Sequence, residues 1–247
     1  MKVGNMVGKY FLAFGLTLAT GMASAEENAS NPLAAVNNVD FRWQYTSADA
    51  GDKHDVFVDA SHMLLPKLKL KYEVHYNFTD VTGSNESGLE KLVIKPIYFP
   101  VQSKLNDAWG LKVAVGTDWI VDFDNTDKGI GSGSDQVAPL FGVAFSHFSS
   151  GLVLIPLVQH FVSYNGPDVN TTAARLIAIK PFGKGFWAKL DAKAPYDWEN
   201  ELWRFTTELQ VGYNLGPSWA IYADGLVGIG HDRPYDVGAG LGLRFKY

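Results

Sequence analysis

The 247-residue chain has no cysteine at all. Disulfides, thiolate catalysis and cysteine-based metal sites are therefore excluded. A second lack is any long apolar run. Beyond residue 25 no stretch reaches the ~18 consecutive apolar residues that a membrane-spanning helix needs. A third is surplus positive charge: Lys and Arg number 21 against 26 Asp and Glu, for a formal net charge of −5. That balance excludes the basic footprint of a nucleic-acid-binding protein.

The first 25 residues read as an export signal. Lys2 and Lys9 supply a positive start, Tyr10 to Met22 a short apolar stretch, and Ala23-Ser24-Ala25 a small-residue cleavage site. Cleavage after Ala25 removes two lysines and no acid, so the mature chain from Glu26 is more acidic still. We expect 26–39 to form a periplasmic N-terminal leader and 40–247 a single domain.

That domain is dominated by period-2 alternation. Leu68, Leu70, Tyr72, Val74, Tyr76 and Phe78 alternate with Lys69, Lys71, Glu73, His75 and Asn77. Similar runs start at Trp109 and Trp203. Each fits a strand template and fails a helix template. The runs exceed the ~5–6 residues of an ordinary globular strand and match the ~9–11 of a strand crossing a bilayer at a tilt. Twelve strands can be drawn, at 40–47, 53–63, 67–79, 89–100, 109–123, 136–149, 152–164, 172–181, 186–194, 202–215, 219–229 and 235–247. Most of the longer, acidic, Gly/Ser-rich connections alternate with tight ones, as in bacterial barrels with short periplasmic turns and longer outer loops. The connection 101–108 is long for a turn, and 230–234 is short for a loop. Lipid offers no hydrogen bonds, so such a sheet has to close. The expectation is an all-β, up-and-down antiparallel transmembrane barrel of about 12 strands in a bacterial outer membrane. Trp119, Phe123, Tyr76, Phe78, Trp203 and Phe205 would form one aromatic girdle, and Trp109, Tyr98, Tyr213, Trp219 and Tyr247 the other.

The chain ends Leu241-Gly242-Leu243-Arg244-Phe245-Lys246-Tyr247. This resembles the last strand of bacterial outer-membrane proteins, and the resemblance implies recognition by the barrel-assembly machinery through Phe245 and Tyr247. Asn31-Pro32-Leu33, Lys95-Pro96-Ile97 and Leu105-Asn106-Asp107-Ala108-Trp109 resemble motifs of a group of proteobacterial outer-membrane proteins, the transporter, MetA-pathway phenol-degradation or neuromedin-U-like family. That likeness implies a barrel and a transport role. It carries over no functional residue.

With apolar faces toward lipid, the alternate positions line the lumen. Candidate solute-contacting residues are Arg42, Lys69, Lys71, Glu73, His75, Lys95, Lys112, Asp118, Arg175, Lys189, Arg204, Glu208 and Arg244, with Lys91, Asp122, Asp191, Lys193, Asp224 and Lys246 on the same face. Bases outnumber acids there, which favours anions. Val93, Ile97, Phe99, Leu140, Ile155, Leu157, Ile177, Ile179, Trp187 and Tyr222 add apolar inward surface, and a small aromatic acid suits such a mixed wall. Gly238, Gly240 and Gly242 leave inward space that bulky neighbours could fill. Small barrels pack their interiors with side chains, so a filled or narrow lumen is as open a possibility as a wide one.

Enzyme signals are weak. His147-Phe148-Ser149 resembles the His-x-Ser of an outer-membrane lipid A deacylase, but Ser150 stands where that motif has Asn, and no orienting Glu follows. Asp124 to Asp135 has faint calcium-loop spacing, with Lys128 at a position that opposes a cation. The six histidines (His54, His62, His75, His147, His160, His231) show no metal-ligand spacing. The reading is therefore a passive channel for small anionic or aromatic solutes, not an enzyme, with no catalytic residue, metal or cofactor. Its partners are membrane lipid and small solutes. The alternatives are a lipid-modifying enzyme and a structural or surface-interaction barrel with a closed lumen.

Overall fold

The computed structural model describes residues 28–247; the export signal expected over 1–25 lies outside them. The strands, in chain order, are β1 (Asn38–Ala48), β2 (Gly51–Leu65), β3 (Leu68–Thr79), β4 (Glu86–Lys104), β5 (Trp109–Asp122), β6 (Asp135–His147), β7 (Val153–Asn165), β8 (Asn170–Gly183), β9 (Phe186–Asp197), β10 (Leu202–Trp203), β11 (Phe205–Asn214), β12 (Trp219–Ile229) and β13 (Val237–Lys246). Each pairs antiparallel with its neighbours, and β13 closes onto β1 from Asn38↔Lys246 to Ser47↔Val237. The short β10 continues β11 against β9 and is split from it at Arg204, whose N–H still donates to the Pro195 carbonyl at 2.9 Å. Twelve strands thus make the barrel, at the places the alternation gives.

The barrel is inside out relative to a soluble protein. Large apolar side chains such as Phe41, Trp119, Leu176, Leu209 and Leu241 are exposed on its outer surface, while Lys69, Asp191 and Arg244 are buried. This is the pattern that lipid on one side and polar partners on the other would impose. The expected girdle residues face outward, the ring pairs Trp203–Phe205 and Trp219–Phe245 lying at 5.3 and 4.8 Å.

Connections sort into two ends. At the turn end, β4 runs on to Lys104, so the expected long connection 101–108 shrinks to four residues. The Asn106 side chain holds it, its Oδ1 accepting the N–H groups of Ala108 and Trp109 at 2.9 Å each. At the loop end, residues 123–134 fold over Asp122, whose carboxylate accepts from the N–H groups of Asp124 and Ser132. One 3₁₀ turn, Thr126–Lys128, sits within that loop.

Residues 28–37, the part of the expected leader that the structure describes, fold back into the turn end of the barrel. Asn28 and Asn31 curl the segment, their side-chain oxygens accepting from Ser30 N–H (3.0 Å) and Leu33 N–H (2.8 Å). Leu33 then sits fully buried among Ile97, Phe99, Ala114, Ala144, Val153, Ile155, Ile177 and Ile179. The segment's carbonyls take charge from the wall. Lys69 Nζ donates to Pro32 O (3.3 Å) and Ala34 O (2.9 Å), and Lys112 Nζ to Leu33 O (3.4 Å). Ser61 Oγ donates to Val36 O and Met63 N–H to Asn37 Oδ1.

Candidate functional site: the charged lumen

Above this plug lies a cavity of about 590 Å³. It runs from Gln136, Val169 and Thr171 near the loop end down to Ser30, Pro32 and Leu33. Its wall has two characters, set by which residues the inward parity of each strand carries.

One arc is ionic and organised as two ladders. On β2 to β5, Asp59, Lys71, Glu73, Lys95 and Asp118 alternate in sign, with successive separations of 3.2, 3.8, 3.8 and 2.8 Å. On the other side, Asp224 binds Arg42 at 2.8 Å, Arg42 reaches Glu208 at 3.7 Å, and Glu208 binds Lys189 at 2.9 Å. Lys189 lies 3.9 Å from Asp191, which Arg175 grips through two nitrogens, Nε donating at 2.7 Å. Arg42 also lies over the rings of Phe57 and Tyr222, at 4.9 and 5.5 Å from their centroids. At this depth an unpaired charge is expensive, and removing one partner of a buried pair is strongly destabilising. The ladders therefore hold their side chains along the wall.

The other arc, contributed by β5 to β8, is mostly apolar: Ile120, Leu140, Leu157, Phe161, Ala173 and Ile177, interrupted by Gln159. At the foot of the lumen, Arg244 joins the plug to the wall. Its Nε donates to Asp40 at 2.8 Å and its Nη1 to Ser30 Oγ at 2.6 Å, while Tyr222 O–H donates to Asp40 at 2.8 Å.

Of the expected lumen residues, Arg42, Lys71, Glu73, His75, Lys95, Asp118, Arg175, Lys189, Glu208 and Arg244 line the cavity. Lys69 and Lys112 lie beneath it, against the plug. Arg204 is a correction. It keeps the inward parity, because the pairing with β9 runs through the break without a register shift, but it sits exposed at the loop-end rim beyond the cavity, 3.3 Å from Asp197. The expected apolar inward positions are inside, with Trp187 and Tyr222 filling the space over Gly212 and Gly242. A Cβ on either glycine would come within 2.1 Å of those rings.

Four inward acids escape the alternation reading: Asp40, Asp55, Asp59 and Glu90. Asp55 and Asp59 share parity with Phe57 on β2, but that strand also places His54, Val56 and Val58 outside, which blurs its pattern. Glu90 is reached through a bulge. His75 pairs with Lys91 and Tyr76 with Leu89, so Glu90 is the extra residue. These acids make the wall less basic than expected. Asp55 Oδ2 lies 2.8 Å from His75 Nδ1, and the ligand atoms of Asp55, His75 and Glu90 fall within 4.8 Å of one another. Lys53 and Lys91 each bind Glu90 at 3.0 Å, so two cations already occupy the carboxylate a metal ion would use.

At the turn end, His147 Nδ1 lies 2.8 Å from Ser150 Oγ and 3.5 Å from Ser149 Oγ. Among the described residues no carboxylate orients that ring, which packs instead on Trp109 at 4.7 Å. Activating a serine requires a base held by a third group, and this arrangement lacks one.

No protein-family model matches the chain, and no curated protein does. Solved structures do match in fold. The COG4313 outer membrane channel from Pseudomonas putida F1 has a TM-score of 0.62 at 9% identity, covering 86% of this chain and 96% of that one. The NanC porin gives 0.60 at 12% identity, covering 85% and 100%. The KdgM porin, solved in complex with disordered oligogalacturonate, gives 0.56 at 11% identity, covering 85% and 99%. At such identities the likeness establishes the fold: this chain is built as a barrel of the kind used by outer-membrane porins and channels.

Proposed function

We propose that the protein is a bacterial outer-membrane channel that lets small solutes diffuse through a narrow lumen, with anionic and aromatic compounds favoured. The carrying observation is the cavity itself. A filled structural barrel would pair its inward side chains across the axis, whereas here the charges pair along the wall and leave about 590 Å³ between the arcs. Volumes of that order suit a small organic molecule. The fold shared with outer-membrane channels supports this reading, as does the resemblance of the Asn31-Pro32-Leu33, Lys95-Pro96-Ile97 and Leu105 to Trp109 motifs to a transporter family. The outward terminal aromatics Phe245 and Tyr247 fit recognition by the barrel-assembly machinery.

Nothing in the ladders couples to an energy source, so transport is passive. The turn end is closed by residues 28–37, so passage there requires this segment to shift. The test is the reversal potential of the folded protein in a planar bilayer under a salt gradient. Arg42, Lys71, Lys91, Lys95, Arg175, Lys189, Lys193 and Arg244 line the cavity together with Asp40, Asp59, Glu73, Asp118 and Glu208, with Asp191 and Asp224 buried behind them. A modest anion preference is expected; a clear cation preference would refute this reading of the wall.

A further inference from the structure

Donors stand unspent where the ionic arc meets the apolar one. Arg175 on β8 and Lys193 on β9 stand directly opposite each other. Like charges so placed are destabilising unless something offsets them. Asp191 gives its hydrogen bonds to Arg175, through Nε and Nη2, and leaves Nη1 without a protein acceptor. Among the described residues no carboxylate lies within ion-pair distance of Lys193; the nearby acids Asp191 and Glu208 are bound to Arg175, Lys189 and Arg42. A third donor is close by. Gln159 on β7 is 8% exposed, and its Nε2 is buried with no hydrogen-bond partner. Gln159 pairs with Ala173, the next inward residue to Arg175 on β8. All three side chains line the same cavity.

A buried donor without an acceptor costs free energy that a bound acceptor would recover. Gln159 Nε2 is such a donor, and with the cationic side chains of Arg175 and Lys193 lining the cavity on the two adjacent strands it describes a receptor for an oxyanion. Their surroundings define the rest of the ligand. Leu157 is the direct cross-strand neighbour of Arg175, and Leu140 and Phe161 continue the apolar surface beside Gln159. Resting on the channel reading above, we propose that Gln159, Arg175 and Lys193 form a subsite for a small monocarboxylate. Its carboxylate is held by Lys193 Nζ and Arg175 Nη1 with help from Gln159 Nε2, and its apolar body lies on Leu157, Leu140 and Phe161.

The test is isothermal titration of the folded protein in detergent with four probes: benzoate, its neutral isostere benzamide, acetate and inorganic phosphate. Benzoate should bind, with the other three at least about tenfold weaker, since each lacks either the charge that a charge-assisted hydrogen bond needs or the apolar body. Lys193→Gln should weaken benzoate by about tenfold and Lys193→Arg should restore it, while Lys104→Gln, on the exposed end of β4, should change nothing. A heat-modifiable gel shift checks that each variant is folded. Equal binding of benzoate and benzamide, or benzoate affinity unmoved by Lys193→Gln, would overturn the subsite. Phosphate binding as tightly as benzoate would overturn the apolar half of it. Benzoate binding by a protein that conducts no ions would support the subsite and remove the channel; conductance without benzoate binding would remove the subsite alone.

Discussion

At the residue scale, the lumen is a set of side chains whose partners are supplied by neighbouring strands. Asp40 is held by Arg244 and Tyr222 at the foot of the barrel. Replacing Asp40 with Asn leaves the buried Arg244 without its counter-charge. The expected cost is about 3 kcal/mol, read as a lower urea midpoint for tryptophan fluorescence. Gly212 makes a steric prediction. Any side chain there meets Trp187 at once, so Gly212→Val should destabilise by about 1–3 kcal/mol through overpacking, whereas Gly216→Val, with open space around it, should be neutral. Sequence reasoning reached most of this site because strand parity fixes which way a side chain points. It missed Glu90 because a bulge resets the parity there without a mark in the alternation, and it misjudged Arg204 because parity gives the face a residue takes and not how far the cavity reaches toward the loop end.

At the element scale, the strands were legible because each must be long enough to cross a bilayer and sorted enough to face lipid on one side. The N-terminal segment was not. Residues 28–37 have no period, and their fate depends on groups far along the chain: Lys69 and Lys112, which need acceptors, and the apolar bowl around Leu33. The same dependence makes the segment testable. Leu33→Ala removes its largest fully buried apolar side chain at a typical cost of about 2 kcal/mol or more, so the undocked population should rise at least about tenfold. Limited proteolysis of residues 28–37 in the folded variant measures this directly, and a cleavage rate equal to the parent's would show that docking does not rest on Leu33.

At the scale of the whole molecule, three features combine: a closed twelve-strand wall, charge ladders that run along that wall and leave the centre clear, and a docked segment that closes one end. Together they fit the proposed solute pathway, preformed over most of its length and shut at the turn end. The decisive measurement is single-channel conductance of the intact protein beside a variant lacking residues 28–36, both verified as folded by the heat-modifiable gel shift. The account predicts small, infrequent openings for the intact protein and larger, sustained ones for the variant. Silence from both, or identical conductance in the two, would contradict it.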